Sequence, residues 1–589
     1  MKVKMILPAL QEAESPYWRP IKYSLFPPLG LATLAAYFGD DDDVEIVDQH
    51  VEKLTLDDEP DLVCIQVYVT NAYRAYRIAD HYRQKGTYVA MGGLHVTSLP
   101  DEAAQHADTI LLGPGEEAFP RFISDLRAGH PQKRYVARWR SIENIPPVRR
   151  DLIKREKYFV PNSLVVSRGC PHHCDFCYKD AFYGEGKSFY TQRVDEALAE
   201  IDRLPGRHLY FLDDHLLGSP QFARELFEGM RGMGRVFQSA ATVASVLKGD
   251  LIEKAAEAGL RSVFLGFETF SPENLRSSNK LQNLSKDYVA AVERLHNLGI
   301  MINGSFVFGL DHDDKDVFRR TVDWGIEHSI TTATFHILTP YPGTRLFQQM
   351  ERDGRITSYD WSQYDTRTVV YKTVGLTAEE LKQGYDWAYK EFYSWSNIFR
   401  ASFGHDNLKQ QLAHLFYMGG WKKFEPFWNF MIQYGQLNRM LPVLESLLAN
   451  TKTKSLRGRQ SASRFLIKPH SKPIYMKVIR NHNHRVFLVK KHPMGKNYLA
   501  ICLFGFVLSI RPLDAEELNH ELIHAAQQRE LLYIPFFIWY GLEWVALYFK
   551  YKDWLQAYAH IRFEKEAYRH QSDLNYLHRR KYFNYCKHE

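Results

Sequence analysis

Three cysteines within one short stretch limit what this chain can build more than any other feature. Cys170, Cys174 and Cys177 lie in SRGCPHHCDFCYKDAFY with the spacing Cys-x3-Cys-x2-Cys. Three thiolates this close on one loop can all face one soft metal centre, but a closed zinc or iron–sulfur site needs four ligands. The residues therefore predict either a zinc knuckle completed by a distant ligand or a [4Fe–4S] cluster with one iron open to an exogenous ligand.

The rest of the composition indicates an ordinary globular chain in a reducing compartment. Its 589 residues predict about three to four domains, and a net charge of +6 is too mild to indicate a nucleic-acid partner. The other cysteines, Cys64, Cys502 and Cys586, are scattered and form no disulfide framework. The N-terminal apolar stretch is too short for a signal peptide, so we predict a cytoplasmic protein.

Residues 1–135 alternate between strand-like and helix-like segments. The strands VKMILPA, VEIVD, DLVCIQVYV, YVAMGG and DTILLG are separated by helices such as PPLGLATLAAYF and NAYRAYRIADHYRQKG. This alternation predicts an α/β domain with a Rossmann-like parallel sheet, whose ligands bind outside the carboxyl ends of its strands. The residues at these ends are Asp48, Thr70, Asn71, Gly92, Gly93, His95 and the GPGEE turn.

Residues 155–375 repeat the alternation around the cysteine loop. Six apolar segments (VVS, YFLDD, AATVA, SVFLGFE, GSFVFGL and ATFHIL) are each followed by a helical pattern. They predict a partial (β/α) barrel with its functional groups at the carboxyl ends of the strands. The candidate residues at these ends are Asp213, Asp214, Gly266, Glu268 and Gly309.

The cysteine pattern, with Phe176 before its last cysteine and FLGFE and FVFGL following in order, resembles the radical S-adenosylmethionine (SAM) enzymes. This resemblance implies that the open iron of a [4Fe–4S] cluster chelates SAM, which one electron then cleaves to a 5′-deoxyadenosyl radical. It also implies roles in SAM binding: Asp213 and Asp214 for the amino group or ribose, Gly266 and Glu268 for the ribose and carboxylate, and Gly309 for the adenine.

The preceding domain resembles the cobalamin-binding domain found before many radical SAM domains. The segments that match are PPLGLATLAAY, GGLHVTSLPDEA and LLGPGEEAFPRFISDL, and they imply that Gly92 and Gly93 contact cobalamin. The DxHxxG sequence that supplies an axial histidine is absent, because Lys53 stands where the glycine that follows Asp48 and His50 should be. Cobalamin would then have no protein histidine below the cobalt. The alternative is a Rossmann-like domain that has lost its cofactor.

The resemblance extends from about residue 3 to about residue 445, and is to the cobalamin-dependent branch that includes a hopanoid methylase. It implies methyl transfer to an unactivated carbon of a small-molecule, lipid or peptide substrate, with electrons from a reductase, flavodoxin or ferredoxin. The alternative outcome is an oxidised, cyclised or rearranged product. His215 stands where relatives carry asparagine. It is either a proton carrier near the substrate or a residue that fills the asparagine site.

Residues 376–450 have a helical pattern and predict a C-terminal cap on the barrel. The segment NTKTKSLRGRQSASR, residues 451–465, is polar and basic without an apolar period, which indicates a linker.

A second chemical site follows the linker. His520-Glu521-x-x-His524 places both histidines on one face of a helix, as two ligands to one Zn²⁺ require. Glu521 would then lie beside the open coordination position and could take a proton from water there. The alternative for an isolated motif of this kind is a helix without a metal.

Residues 466–589 resemble a small α+β zincin-like domain. The register of Glu564-x-x-Ala567 implies Glu564 rather than Glu566 as third zinc ligand, and LAICLFGFVLSI matches the edge strand that binds peptide. The domain is then a peptidase, which could act on a peptide that the barrel modifies. The alternatives are a metal-binding or docking module and a domain that acts in the same pathway as the barrel. The apolar residues 533–549 predict a buried helix, with a membrane-surface helix and peripheral membrane contact as the alternative.

Overall fold

The structure, a computed structural model, describes residues 1–11, 26–183, 188–284, 286–405, 408–420, 477–481, 484–488, 499–503, 506–531 and 534–587. The chain divides into two compact units, Met1–Leu456 and Arg457–Glu589. The predicted linker 451–465 and the part of the predicted cap beyond residue 420 lie outside the described residues.

The first unit begins with the predicted Rossmann-like sheet, which is parallel throughout. The strand order is β2-β1-β3-β4-β5-β6. The strands are β1 (Lys2–Leu7), β2 (Asp43–Asp48), β3 (Leu62–Gln66), β4 (Tyr88–Gly92), β5 (Thr109–Leu112) and β6 (Arg134–Val136). The helices are α1 (Leu29–Leu34), α2 (Ala72–Gln84), α3 (Leu94–Ser98), α4 (Pro100–Ala103) and α5 (Gly115–Arg127).

This sheet is buried on both faces because its strands are apolar at successive positions. Met5 belongs to the core on one side, and its neighbour Ile6 belongs to the core on the other. Cys64 and Ile65 divide in the same way. Since side chains alternate across a strand, only a continuous apolar run can supply two cores, which is the pattern of a doubly wound parallel sheet.

A second parallel sheet forms the predicted partial barrel, with the strand order β14-β13-β12-β11-β10-β7. Its strands are β7 (Ser163–Leu164), β10 (His208–Phe211), β11 (Val236–Thr242), β12 (Leu260–Glu268), β13 (Met301–Phe308) and β14 (Thr332–Ile337). Between them lie α7 (Val194–Arg203), α8 (Pro220–Met230), α9 (Val243–Leu247), α10 (Leu251–Ala258), α11 (Pro272–Ser277), α12 (Tyr288–Asn297) and α13 (Val317–Glu327).

The strand predicted before the cysteines is broken into two. Its first part, β7, joins the barrel sheet, and its second part, β8 (Ser167–Gly169), pairs antiparallel with β9 (Phe189–Thr191). In the sequence, α6 (Tyr178–Tyr183) comes between β8 and β9, which together form a small two-stranded ribbon. The cysteines therefore lie on a loop that follows β8 of this two-stranded ribbon, and not directly at the end of a barrel strand.

The described part of the cap is helical, as predicted. It contains α15 (Ala378–Phe392), α16 (Trp395–Phe403) and α17 (Leu408–Leu415), followed by a π-helical turn at Phe416–Gly420. α14 (Arg345–Arg352) precedes the cap and belongs to residues 155–375.

The second unit combines a small mixed sheet with helices. Its strand order is β15-β16-β18-β17, from β15 (Lys477–Asn481), β16 (His484–Leu488), β17 (Ala500–Leu503) and β18 (Phe506–Ser509). Its helices are α18 (Ala515–Glu530), α19 (Ile534–Tyr551), α20 (Trp554–Ala559), α21 (Arg562–His570) and α22 (Tyr576–Arg579). The segment LAICLFGFVLSI, predicted as one edge strand, is instead the hairpin of β17 and β18, with β17 at the edge.

The apolar segment 533–549 lies largely within helix α19. It is only partly buried, because Leu542 and Phe549 are exposed. No helix within the described ranges combines the length and apolarity needed to cross a bilayer.

Candidate active site and metal centre

The cysteine loop begins at a turn that only glycine fits. Gly169 has a φ of +79°, and a Cβ there would lie 2.0 Å from the carbonyl oxygen of Ser188. That same oxygen accepts a hydrogen bond from the amide of Cys170 at 3.0 Å. The amide of Cys177 in turn donates to the carbonyl of Cys174, so the loop curls back on itself. All three thiols are free and half-buried.

Asp213 and Asp214 follow β10 and hold this loop. The Asp213 carboxylate accepts hydrogen bonds from the amide and hydroxyl of Ser167 and from the amide of Val166. Asp214 accepts from the amide of Gly169 at 2.9 Å and from the hydroxyl of Tyr178. Both residues were predicted to accept hydrogen bonds from SAM. Their hydrogen bonds in the structure come from the chain around the cysteines, so they act first as anchors of the loop.

Glu268 reaches the cysteine loop through an irregularity at the end of β12. The register with β13 shifts between Gly266 and Glu268, and Glu268 has a φ of +65°. Its carboxylate forms an ion pair with Lys280, whose Nζ lies 5.9 Å from the ring centroid of Phe176. A Cβ on Gly266 would lie 2.5 Å from the Glu268 Oε1 atom. A larger residue at position 266 would therefore displace this carboxylate and the Lys280 paired with it.

Gly309 is held by the protein itself. Its φ is +91°, and a Cβ there would meet the hydroxyl of Tyr371 at 2.3 Å and Leu381 at 2.6 Å. The positive φ and these two side chains already disfavour a larger residue at this position, independently of any ligand. A role for the Gly309 backbone in binding adenine stays a prediction.

The carboxyl edge of the N-terminal sheet is joined to this loop. Arg168 of β8 pairs with Glu116 at the start of α5, and the Glu116 side chain is almost fully buried. At the neighbouring strand end, the buried Oε1 atom of Gln66 has no hydrogen-bond partner within the described part of the chain, while its Nε2 atom donates to the hydroxyl of Tyr68. An unmet acceptor at this edge fits a large ligand that carries amide groups.

His50 is engaged at both ring nitrogens. Its Nδ1 atom lies 2.7 Å from the Asp48 Oδ1 atom, and its Nε2 atom accepts from the amide of Leu10 at 3.1 Å. Both ring nitrogens are thus used within the domain, and the absence of a protein histidine below the cobalt stays a prediction. Gly93, with a φ of +115°, is required by the chain itself, since a Cβ there would lie 2.7 Å from the Val67 carbonyl. Contact of Gly92 and Gly93 with cobalamin stays a prediction.

In a comparison with known proteins, family models match both the N-terminal sheet domain and the barrel domain of the first unit. The radical SAM superfamily model matches residues 164–325, and the B12 binding domain model matches residues 23–123. Bacteriochlorophyllide d C-12(1)-methyltransferase of Chlorobaculum tepidum is 31% identical over 357 residues, which cover 58% of this chain and 76% of that protein. The chain belongs to the cobalamin-dependent radical SAM methyltransferase family.

Two further comparisons agree with this assignment and confirm the family resemblance drawn from the sequence. Hopanoid C-2 methylase of Rhodopseudomonas palustris is 25% identical over 57% of this chain and 66% of that protein. The radical SAM methyltransferase TsrM of Kitasatospora setae, solved with cobalamin and a [4Fe–4S] cluster bound, has the same fold. It matches with a TM-score of 0.52 and 14% identity over 75% of this chain and 99% of that chain.

The family assignment decides between the two centres that the cysteine spacing allows. Both matching domain models, together with the three cysteines, support [4Fe–4S], SAM and cobalamin as the cofactors.

Two polar neighbours, Lys179 and Gln282, partly offset the cost of burying the cysteine thiolates. Burial raises the pKa of the Cys170 thiol to about 11, while the nearby charge of Lys179 acts in the opposite direction. Lys179 itself is 2% exposed and pairs with Asp180 at 2.7 Å. On the other side of the loop, Gln282 donates to the Cys174 sulfur at 3.4 Å. These donors compensate part of the negative charge that three thiolates bring.

His215 lies close to the cysteine loop. Its ring centroid is 5.9 Å from that of His172, and burial together with the charges of His172 and Lys280 lowers its pKa to about 3. The Nδ1 atom is buried and has no hydrogen-bond partner in the described part of the protein. His215 is therefore a neutral acceptor, and both predicted roles for it stay predictions.

The second unit brings the predicted metal ligands together. His520 and His524, one turn apart on α18, face each other with their Nε2 atoms 3.1 Å apart. Glu564 of α21 lies 3.5 Å from the Nε2 atom of His520 and 3.3 Å from that of His524. Burial alone would raise the pKa of Glu564, but the two histidines hold it well below its usual range.

Surrounding side chains orient these ligands. The Nδ1 atoms of His520 and His524 lie 3.1 Å and 2.8 Å from the amide oxygens of Gln571 and Gln527. Such hydrogen bonds leave the Nε2 atoms free to bind a metal. Tyr540 donates to the Glu564 Oε1 atom at 2.6 Å.

Glu566 and Glu521 have different surroundings. Glu566 lies away from the histidines and pairs with Arg580 at 2.7 Å, so the structure brings Glu564 rather than Glu566 to them. Burial raises the pKa of Glu521, whose Oε2 atom has no hydrogen-bond partner among the residues described. The two nitrogens and one carboxylate are the donor set of a catalytic zinc site, and Glu521 lies beside them.

Proposed function

We propose that the first unit transfers a methyl group to an unactivated carbon of a hydrophobic substrate. The observation that carries the proposal is the double attachment of the cysteine loop. Asp213 and Asp214 fix it to the barrel, and the pair of Arg168 with Glu116 fixes it to the carboxyl edge of the N-terminal sheet. Groups bound at these two edges would therefore face each other across one cavity.

When bound, the iron–sulfur cluster supplies the electron that splits SAM, and cobalamin carries the methyl group. The chain contributes the positions of these groups. The cluster would be held by Cys170, Cys174 and Cys177. Glu268 would accept hydrogen bonds from the ribose of SAM. Lys280 would lie within reach of the carboxylate of SAM. A flavodoxin, ferredoxin or reductase would deliver the electron.

The proposed substrate is a hydrophobic ring system. Two relatives support this class by the substrates in their names, bacteriochlorophyllide d and a hopanoid.

SAM labelled in its methyl group tests the proposal. The reconstituted, reduced protein should produce 5′-deoxyadenosine and place the label on the substrate carbon, and Cys174→Ala should do neither. Formation of 5′-deoxyadenosine without label in the product would favour oxidation or cyclisation instead. Failure to form 5′-deoxyadenosine under reducing conditions would refute radical chemistry altogether.

A second function is proposed for the other unit, as a zinc-dependent peptidase. It is supported by the convergence of His520, His524 and Glu564 within 4.8 Å and by the buried carboxylate of Glu521 beside them. Zn²⁺ would polarise a peptide carbonyl, and Glu521 would take the proton from the attacking water. The substrate peptide is either independent of the barrel or a product that the barrel modifies.

Glu521→Gln tests the peptidase proposal, because it removes the proposed base and keeps the three proposed zinc ligands. The variant should retain zinc and SAM cleavage and lose hydrolysis of a peptide library. If the wild-type protein binds zinc and hydrolyses nothing, the site is a metal-binding or docking module. If neither protein binds zinc, the metal assignment is wrong.

A further inference from the structure

Helix α19 (Ile534–Tyr551) exposes a line of large apolar side chains. Trp539, Leu542, Val545 and Phe549 are 37%, 68%, 46% and 74% exposed. Their spacing of three, three and four residues places them on one face of the helix, here called the apolar stripe. The stripe is about 15 Å long at 1.5 Å per residue.

Two polar side chains of the same helix, Tyr540 and Glu543, point inward. Glu543, with 15% side-chain exposure, pairs with Arg562 at 3.0 Å, and Tyr540 donates to the Glu564 carboxylate at 2.6 Å. A surface helix of a water-soluble domain has the opposite arrangement, with its apolar residues inward and its charges outward. The outer face of α19 is therefore built for contact with an apolar phase.

Cationic residues lie near both ends of the apolar stripe. Lys550 and Lys552 come directly after Phe549 and are exposed. Near Trp539, the ring of Tyr585 lies 6.0 Å away, and it also contacts Phe583 at 6.1 Å, next to the exposed Lys581 and Tyr582. Tyr582 is 82% exposed.

We propose that the apolar stripe docks on an anionic lipid bilayer, with α19 lying in the plane of the interface. Aromatic and aliphatic side chains would enter the boundary between headgroups and acyl chains, and lysines near both ends would contact anionic headgroups. A second copy of this chain fits less well. Since lysines lie near both ends of the stripe, either a parallel or an antiparallel copy would bring like charges together.

Docking in this way would place the cluster of His520, His524 and Glu564 close to the membrane. Tyr540, which binds Glu564, is on the inward side of the helix whose outward side carries the stripe. The proposal does not depend on whether that cluster binds a metal, since the stripe and the lysines are separate from it.

Vesicle flotation of the full chain tests the proposal. With vesicles of phosphatidylglycerol and phosphatidylcholine, the wild-type protein should float, and pure phosphatidylcholine should bind it more weakly. The double variant Leu542→Glu/Phe549→Glu should lower partitioning by roughly tenfold or more, because it places two charges in the interface. Val374→Glu, a change at a 65%-exposed position of the first unit, is the matched control and should float like the wild type.

Quenching of tryptophan fluorescence by brominated lipids gives a second readout that does not require the double variant to fold. The wild-type protein should be quenched, and Trp539→Phe should lose a component of that quenching. The proposal is wrong if the wild-type protein stays unbound with anionic vesicles, or if the stripe variant, folded by circular dichroism, floats equally well. A dimer that the stripe variant dissociates, without lipid binding, would identify a protein interface instead.

Discussion

A carboxylate buried beside the cysteine loop must be either protonated or well supplied with hydrogen-bond donors. Asp213 is 3% exposed and receives donors from Val166 and Ser167. Burial is the larger effect and raises its pKa from 3.8 to about 7, although these donors act in the opposite direction. The geometry of the loop is therefore coupled to one titrating group.

This coupling predicts a pH dependence for the apoprotein. Between pH 3.8 and about 7 the folded chain keeps a proton on Asp213 that the unfolded chain releases. The free energy of unfolding should therefore fall as the pH rises through this window, by up to about 1.4 kcal/mol for each unit of pKa difference. Asp213→Asn cannot titrate there. In urea unfolding, the free energy of unfolding of the wild type should rise relative to that of the variant as the pH is lowered. A difference in unfolding free energy that does not change with pH would contradict the prediction.

Gly266→Ala should weaken SAM binding. Its Cβ would lie 2.5 Å from Glu268 Oε1 and 3.0 Å from Lys280 Nζ, so the ion pair has to move. Losing about 1.4 kcal/mol of contact energy corresponds to a tenfold loss of affinity, and we expect at least about that. Equilibrium dialysis of SAM against the reconstituted protein measures it. Gly39→Ala, with only an ordinary contact at 3.9 Å, is the control.

The individual site residues could be predicted where the residue type alone carries the chemistry. The thiols of Cys170, Cys174 and Cys177 and the imidazoles of His520 and His524 are in this class. The anchoring role of Asp213 could not be predicted, because its partners Val166 and Ser167 lie more than 45 residues upstream. Only the fold brings them together.

At the scale of elements, the open barrel leaves β14 as an edge strand, and two tyrosines of α15 and its C-terminus cover it. The Tyr393 hydroxyl accepts from the amide of Ala333 at 3.0 Å and donates to its carbonyl at 2.8 Å. Tyr389 does the same for Phe335 at 3.1 Å and 3.2 Å. The tyrosine hydroxyls thus supply hydrogen bonds to the edge strand in place of those that a further strand would have made.

Tyr393→Phe should consequently destabilise the barrel edge. The change leaves the buried amide and carbonyl of Ala333 without this partner, which costs about 1–3 kcal/mol. Chemical unfolding of the wild type and the variant measures the difference. Tyr359→Phe, at a 53%-exposed position, should change the free energy of unfolding by less than about 0.5 kcal/mol. Equal effects of the two changes would show that α15 does not protect the edge.

The elements themselves were predictable where apolar runs alternate with helical patterns, as in both parallel sheets. Two failures have a local cause. The strand before the cysteines breaks because Asp213 takes the amides of Val166 and Ser167. The apolar run 499–510 forms two strands, β17 and β18, that pair antiparallel, and an apolar run alone does not show where one strand ends and the next begins.

At the scale of the whole molecule, the two proposed sets of metal ligands lie in separate parts of the chain. The cysteines and their anchors all belong to the unit Met1–Leu456, and His520, His524 and Glu564 all belong to Arg457–Glu589. None of the hydrogen bonds described for either set joins one to the other. The proposed ligands of each site therefore come from a single unit.

Loss of one metal should leave the other in place. Cys174→Ala should lower iron and sulfide per chain and leave zinc unchanged, and His524→Ala should do the reverse, because each change removes one ligand of one site. Elemental analysis of anaerobically purified wild type and variants, with cobalt measured alongside, checks this. Glu566→Gln is a stringent control for the second site, since it breaks the pair with Arg580 and spares all three proposed zinc ligands. A parallel loss of iron and zinc in either single variant would show that the two units fold or load their metals together.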